Sequence, residues 1–142
     1  MKTAIIDASN AVAGRLSTVV AKRLLKGETI DVINAEKAVM TGNAEATHLK
    51  YKTRFGLAPK GNPRYGPKFS RMPHMILKTV IRGMLPWKET KGKIAFDRLR
   101  CHIGVPEELA GKAAERIEKA ENRREKGFIL VEDVSKRLGA KW

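Results

Sequence analysis

The sequence is short of features that would mark several classes of protein. It contains one cysteine, Cys101, so no disulfide can form within the chain, and this fits a reducing compartment. No apolar run approaches the roughly 20 residues that a membrane-spanning helix needs. The opening MKTAIIDASN carries one basic residue and a short apolar run that Asp7 interrupts, which is not the pattern of a signal peptide. We therefore expect a cytoplasmic protein with no membrane partner.

Acidic residues are almost missing from the middle of the chain. Residues 50–100 hold fourteen Lys and Arg against two acids, Glu89 and Asp97, which is a net charge of +12. Residues 1–49 and 101–142 each carry a net +1, so the middle third holds nearly all of the +14 of the whole chain. Because like charges repel and destabilise a compact state, this concentration indicates a polyanionic partner.

Three kinds of polyanion fit this charge: nucleic acid, an anionic membrane and an acidic protein. Membrane binding usually uses an amphipathic helix with one basic and one apolar face. The basic third is instead interrupted by Gly and Pro, so nucleic acid is the favoured partner. A DNA-binding regulator is less favoured, because no helix-turn-helix or zinc motif is recognisable.

The composition predicts a folded protein rather than a basic disordered tail. Hydrophobic residues make up 42% of the 142 residues, although aromatic residues make up only 6%. This length is enough to bury a core without disulfides or metals. We expect one domain over residues 1–142.

The first forty residues have the pattern of a βαβ unit. Residues 3–8 and 29–34 are β-branched apolar runs that predict buried strands, and residues 13–26 show helical spacing of apolar side chains. Ser9 and Asn10 are candidate N-caps of this helix, and Gly27 is a natural stop. Such a unit predicts an α/β fold with a parallel sheet.

The start of this helix allows an alternative function, an enzyme that binds a phosphorylated substrate or a nucleotide. A helix N-terminus favours anions, and Asp7 ends the preceding strand. However, neither phosphate-binding glycine motif stands there, so Gly14 is better explained by close packing of the helix on the strand. A lone Asp at such a turn is commonly a structural cap.

The basic third begins with the end of a helix, followed by a loop. Asn43 can cap a helix that runs to about Arg54, and residues 55–72 then contain three Pro and three Gly without any hydrophobic period. We predict a long basic loop at 55–72, which in a compact domain is usually functional or disordered. Its aromatic residues, Tyr65 and Phe69, either stack on exposed bases or anchor the loop to the core.

The remainder is predicted to alternate between helices and short strands. Pro73 opens a strongly apolar helix over 73–85, a short helix follows at 94–100, and residues 101–105 form a strand. Residues 107–126 predict a polar surface helix with a thin apolar stripe, and residues 128–134 a last strand. Cys101, His102, His48 and His74 lack the spacing of a metal site, so no metal or cofactor is expected.

Several sequence blocks resemble one known family. IDA at 6–8 is followed by AGRLST at 13–18 and VINAEKAVMTG at 32–42, then by KYKTR at 50–54 and GPKFSRMP at 66–73. The most specific block is IRGMLPWKETKG at 81–92, which precedes AFDRLR at 95–100 and has Ile81 where the family signature has Val. In this order the blocks resemble the universal large-subunit ribosomal protein thirteen family, and the ending SKRLGAKW resembles its archaeal and eukaryotic-type form.

This resemblance implies a three-layer α/β/α domain around a small parallel or mixed sheet. It also implies a structural constituent of the large ribosomal subunit, without catalysis, that binds ribosomal RNA, helps it assemble, and contacts neighbouring ribosomal proteins. The residues themselves point only to nucleic acid, through cations that neutralise phosphates and aromatic rings that can stack on bases. The residues predicted to bind RNA are Lys50, Lys52, Arg54, Lys60, Arg64, Tyr65, Lys68, Phe69, Arg71, Arg82, Lys88, Lys91 and Lys93.

Overall fold

The structure of the chain, a computed structural model, describes residues 3–142. Within this range the helices are α1 (Ala13–Leu25), α2 (Ala44–Gly56), α3 (Pro73–Arg82), α4 (Thr90–Asp97) and α5 (Val131–Arg137). The strands are β1 (Thr3–Asp7), β2 (Thr29–Ile33), β3 (Val39–Thr41), β4 (Leu99–Cys101) and β5 (Phe128–Leu130).

The predicted βαβ unit is confirmed. Strands β1 and β2 pair in parallel over their full length, from Thr3 opposite Thr29 to Asp7 opposite Ile33, and α1 is the crossover between them. Strand β4 adds to the other side of β2, also in parallel, so that the sheet order is β1-β2-β4. Parallel neighbours need such crossovers because a tight hairpin cannot join them.

The core lies between this sheet and the helices that cross it. Alternate residues of the strands meet the apolar stripes of α1 and α3, and α1 also contacts α4. The largest fully buried members are Ile6, Ile30, Val32, Leu99, Leu16, Val20, Leu24, Leu77 and Ile81. Burying each such side chain contributes about 1.5–3 kcal/mol relative to leaving it exposed. The α/β class is confirmed.

The structure confirms the predicted role of one glycine near α1, Gly27, but not that of another, Gly14. Gly27 follows the C-cap Lys26 with a φ of 98°, a left-handed conformation that favours glycine and ends the helix as predicted. The interpretation of Gly14 is wrong, because no heavy atom outside its chain neighbours and its own helix backbone lies within 4 Å of the position that a Cβ would occupy there. Close packing on the strand therefore does not require glycine at this position.

The start of α1 also differs from the prediction. Its N-cap is Val12, which offers no side-chain cap, so the assignment of Ser9 and Asn10 as caps is wrong. Ser9 instead donates to Asp7, and the Val12 amide donates to the carbonyl of Ala120, 2.7 Å away. A backbone group from a distant segment thus takes the place of a local cap.

The helix α2 begins as predicted but ends later. The Asn43 side chain accepts a hydrogen bond from the Glu45 amide at 2.9 Å, which confirms it as the N-cap. The helix continues two residues beyond Arg54, to Gly56.

The next two helices are shifted relative to the predicted ones. The helix α3 begins at Pro73 as predicted but ends at Arg82, and Leu85 remains buried beyond it. The helix α4 begins at Thr90 rather than at residue 94, and Leu99 already belongs to strand β4. Leu99 is drawn into the sheet because it pairs with Ile30 and fills the core.

A small second sheet joins a strand of the first third of the chain to a strand near its C-terminal end. Strands β3 and β5 pair antiparallel, with Met40 opposite Ile129. The predicted strand over residues 128–134 is correct only for its first three residues, because α5 begins at Val131. Val131 and Val134 are buried, and helical spacing is what places both of them in the core.

The predicted polar helix at 107–126 is wrong. The regular structure of this segment is limited to two 3₁₀ turns, Glu107–Leu109 and Glu118–Ala120, and the chain between them makes a turn at residues 110–112 and is otherwise irregular. Gly111 lies within it at a φ of 84°, which no α-helix contains.

Tertiary hydrogen bonds explain why the segment is not helical. The Asp7 amide donates to the carbonyl of Glu115, and the Glu115 amide donates to the carbonyl of Ile5, so the segment pairs with the open edge of β1. Only Ala120 becomes fully buried. A helix with so thin an apolar stripe gains little from packing, whereas pairing satisfies an exposed strand edge.

Candidate nucleic-acid interface

The predicted basic loop is irregular over residues 57–72 apart from one 3₁₀ turn, Pro63–Tyr65, while its first two residues belong to α2. The Asn62 side chain caps this turn by accepting from the Arg64 amide at 3.1 Å. A Cβ at Gly66 would lie 2.6 Å from the side chain of Pro59, so the loop folds closely on itself at that point.

The C-terminal end of the loop is fastened to the folded core. The Ser135 hydroxyl of α5 donates to the carbonyl of Arg71 at 2.7 Å. The Arg71 guanidinium lies 5.1 Å from the ring centre of Phe55, and that ring meets Phe69 edge-on at 6.2 Å. Phe69 is therefore an anchor of the loop, one of the two roles that its sequence context allowed.

A cleft of about 470 Å³ opens between α2, the end of the loop and α3. We call it the cationic cleft, because four of its lining residues are Lys or Arg and none is acidic. Its lining residues are Lys50, Tyr51, Arg54, Lys68, Phe69, Ser70, Met75, Ile76, Thr79, Val80, Arg82 and Gly83.

Five of the thirteen predicted RNA-binding residues line this cleft, namely Lys50, Arg54, Lys68, Phe69 and Arg82. The other eight lie outside it. Seven of them are exposed in α2, the loop, the turn after α3 and α4, namely Lys52, Lys60, Arg64, Tyr65, Lys88, Lys91 and Lys93. The eighth, Arg71, is exposed and contacts Phe55. The role of these residues in binding stays a prediction.

Sequence reasoning missed the uncharged side of the cleft. Met75 and Thr79, four residues apart, lie together with the predicted Arg82 on a second stripe of α3, beside the buried one. Tyr51 also lines the cleft, and the Arg54 guanidinium lies 5.5 Å from its ring centre. Burial raises the pKa of Tyr51, although the charge of Arg54 opposes this. No local pattern in the sequence distinguishes Met75 from an ordinary surface position of α3.

The cations of the basic third remain without acidic partners. Among residues 3–142, none of the ion pairs involves a Lys or Arg between positions 50 and 100. Outside that range, Arg23 bonds Glu28 and Glu115, and Arg137 bonds Glu45 at 2.9 Å. The fold thus neutralises several cations of its flanks and leaves the middle third free for an external anion.

Two exposed aromatic residues accompany these cations. Tyr65 is 83% exposed at the tip of the loop, so it is free to stack on a partner. Trp87 is 41% exposed, packs edge-on against Phe96 at 5.0 Å, and lies beneath the Arg82 guanidinium at 5.4 Å. A flat guanidinium held on an aromatic ring is a platform on which a nucleobase can stack.

The space beside Asp7, the alternative site for a phosphate, is lined mainly by negative charge. This space, about 450 Å³, is lined by three carboxylates, Asp7, Glu118 and Glu121, and by one cation, Arg116. Burial alone would raise the pKa of Asp7. Hydrogen bonds from Asn34, from the amide and hydroxyl of Ser9, and from Arg116 outweigh burial and lower that pKa to about 2. Asp7 is a satisfied structural group.

The sequence analysis considered Cys101, His102, His48 and His74 as possible metal ligands. No cluster of three or more His, Cys, Asp and Glu side chains within residues 3–142 is placed to hold a metal ion. His102 Nε2 lies 3.1 Å from Asp31 Oδ1. Burial raises the pKa of the Cys101 thiol to about 12. Over the same range, no helix is both long and apolar enough to cross a membrane.

Fold and surface together define a basic α/β protein with a cationic face beside a folded core. The profile of the family described as Ribosomal protein L13 matches residues 1–108. Three archaeal relatives, each named Large ribosomal subunit protein uL13, are similar over nearly the whole chain. The protein of Archaeoglobus fulgidus is 45% identical, over 95% of this chain and 86% of its own. That of Methanosphaera stadtmanae is 41% identical, over 97% and 98%. That of Methanopyrus kandleri is 43% identical, over 95% and 86%.

The chain therefore belongs to the ribosomal protein L13 family, as its sequence blocks indicated. It is a protein of the large ribosomal subunit, located on the cytoplasmic ribosome, and this family is one of ribosomal proteins and not of enzymes. The alternative of a phosphate-binding enzyme is wrong.

Proposed function

We propose that this chain binds large-subunit ribosomal RNA through its basic third and supports the folding and assembly of that RNA. Within this basic third, residues 50–100, the proposed binding surface is the cationic cleft together with the exposed cations of α2, the loop, the turn after α3 and α4. The observation that carries the proposal is that these cations have no acidic partners among residues 3–142, whereas several cations of the flanks are paired.

The shape of this surface supports the same function. Cations on α2, the loop and α3 are spread around a concave cleft, so they can follow an irregular RNA surface better than one straight helix could. Phosphate contacts of this kind fix position and orientation more than they read sequence. The anchored end of the loop at Ser135 holds part of this surface in place before RNA arrives, which lowers the entropic cost of binding.

Charge reversal tests the location of binding. The middle variant changes Lys50, Lys60, Arg64 and Lys68 to Glu. The control variant changes to Glu four exposed cations of the C-terminal third that form no ion pair within residues 3–142, namely Lys112, Lys119, Arg123 and Lys126. Both variants lower the net charge by the same amount, so a difference between them reports location.

We expect the middle variant to lose at least about 100-fold in affinity for a large-subunit rRNA transcript, because several phosphate contacts disappear together. The control should lose less than about ten-fold. The affinities are measured by filter binding, with circular dichroism to establish that both variants are folded. Equal losses in the two folded variants would contradict the proposed location.

A further inference from the structure

We propose that the cationic cleft receives one unpaired RNA nucleotide, whose base enters against the uncharged floor while the flanking phosphates meet the rim. This inference rests on the proposed RNA binding and adds which part of the RNA the cleft accepts. A paired helix of RNA would then contact the surrounding cations but not the floor.

The floor of the cleft is suited to a flat, largely apolar face. Phe69, Met75 and Val80 contribute apolar surface, and Tyr51 adds an aromatic ring. Met75 remains 40% exposed on α3, next to the buried Ile76 and Leu77. An apolar surface of this kind gains free energy when a base covers it and displaces water.

The rim supplies the complementary charge. Lys50, Arg54, Lys68 and Arg82 surround the floor, and no carboxylate lines the cleft. Arg54 is already held over the ring of Tyr51, so its guanidinium can stack on a base as well as pair with a phosphate. A purely apolar ligand would leave these charges unused, and a bare phosphate would leave the floor uncovered.

The size of the cleft distinguishes a nucleotide from a duplex. Its volume of about 470 Å³ lies within the range of roughly 300–1,000 Å³ that accommodates small-molecule ligands. In a duplex the bases are stacked and their faces are inaccessible, so a paired strand presents only backbone to such a cleft. RNA bases in loops and bulges are free to leave the stack and enter it.

The test fills the cleft without changing its charge. Thr79 lines the cleft, is exposed, and makes only a local hydrogen bond to the Met75 carbonyl, so Thr79→Trp should fold and occupy the space. Thr53→Trp is the matched control, because Thr53 is exposed on α2 but does not line the cleft. The probe is a full-length large-subunit rRNA transcript, mapped with dimethyl sulfate for bases and with hydroxyl radicals for the backbone.

The wild-type chain and Thr53→Trp should protect one or two unpaired bases from dimethyl sulfate within the region where the backbone is protected. Thr79→Trp should keep the backbone protection but lose the base protection. Its affinity should fall by about 5- to 150-fold, the effect of losing one stacked base. Loss of base protection in both Trp variants would overturn the cleft proposal, since the effect would not depend on filling the cleft.

A second variant keeps the test decisive if Thr79→Trp does not fold. Met75→Gln preserves side-chain length and helix propensity while it makes the floor polar, and it should also lose the base protection. If a folded cleft variant protects the same bases as the wild type, the cleft proposal is overturned while RNA binding stands. If the wild-type chain protects no region of the rRNA, the proposed function itself is overturned.

Discussion

At the scale of single residues, Asp7 shows how a buried charge is used for structure. Its carboxylate accepts hydrogen bonds from Ser9, Asn34 and Arg116, and so ties the end of β1 to the end of β2 and to the 107–126 segment. Arg116 is largely exposed and contributes less than the half-buried Ser9 and Asn34. These bonds favour the ionised carboxylate, which is why its pKa falls to about 2 despite burial.

The Asp7→Asn variant should be less stable than the wild type at pH 7 by about 1–3 kcal/mol, because the charge-assisted hydrogen bonds are lost. The folded-state pKa of Asp7, about 2, lies below its ordinary value of 3.8. The ionised carboxylate therefore contributes about 2 kcal/mol above pH 4, and this contribution is lost as the pH falls towards 2. The free energy of unfolding, measured in urea at several pH values, should show this.

The control for this measurement is Asp97→Asn, since the Asp97 side chain is exposed and makes no ion pair within residues 3–142. It should change stability by less than about 0.5 kcal/mol at any pH. The difference between wild type and Asp7→Asn should shrink in acid. A difference of equal size at pH 7 and pH 2 would mean that the charge of Asp7 does not contribute.

At the scale of elements, the packing of Gly92 explains why one position of the sequence block 81–92 is glycine. It lies in the first turn of α4 and is buried against the turn that follows α3. A Cβ at this position would lie 2.1 Å from the carbonyl oxygen of Pro86 and 3.1 Å from the amide nitrogen of Trp87. Backbone atoms cannot move aside as a flexible side chain can, so α4 can pack here only with glycine.

We expect Gly92→Ala to lower the free energy of unfolding by more than about 2 kcal/mol, the cost of overpacking a tight site. Gly14→Ala is the matched control, because Gly14 also lies in the first turn of a helix but has open space around it. It should leave stability unchanged or raise it by up to about 1 kcal/mol. Thermal unfolding of the two variants makes the comparison, and similar melting temperatures would contradict the packing argument.

Some of the helices and strands could be predicted from the sequence, and others could not. The βαβ unit and α3 were predictable because their apolar periodicity is strong and coincides with Gly27 and Pro73. The 107–126 segment was not, because its structure depends on hydrogen bonds to β1, more than a hundred residues away. Local charge pairs favoured a helix there, but an open strand edge offered a better set of partners.

The cleft was predictable only in part. Its cations stood out because acidic residues are missing around them. Its floor did not, because Tyr51, Met75 and Val80 come from helices whose relative placement no local pattern contains. Met75 and Thr79 looked like ordinary surface positions of α3 until that helix was placed beside α2.

At the scale of the whole molecule, the charge divides the protein into a neutralised scaffold and a cationic face. The flanking thirds each carry +1, and several of their cations form ion pairs, whereas the middle third carries +12. The sheet, α1, α5 and the buried face of α3 thus supply stability, and α2, the loop, the exposed face of α3 and α4 supply charge. Repulsion among unpaired cations costs stability in the free protein, and an RNA that neutralises them should remove this cost.

Salt dependence measures how much of this charge the RNA engages. If about eight phosphates are contacted, the logarithm of affinity should fall with the logarithm of salt concentration at a slope between about −5 and −7. Reversal of Lys50, Lys60, Arg64 and Lys68 should reduce the steepness by about three to four, since each lost phosphate contact removes roughly 0.7–0.9 from the slope. The matched C-terminal reversal should leave the slope within about one of the wild-type value.

Competition at fixed salt then separates a specific complex from general attraction to polyanions. If the cleft and the anchored loop fit one RNA surface, as we propose, folded large-subunit rRNA should displace random RNA of equal length at much lower concentration. The advantage of folded rRNA over random RNA should persist at high salt, because contacts to base faces release few counterions. If random RNA competes equally at every salt concentration, the cationic face acts through charge alone and the shape of the cleft plays no part in binding.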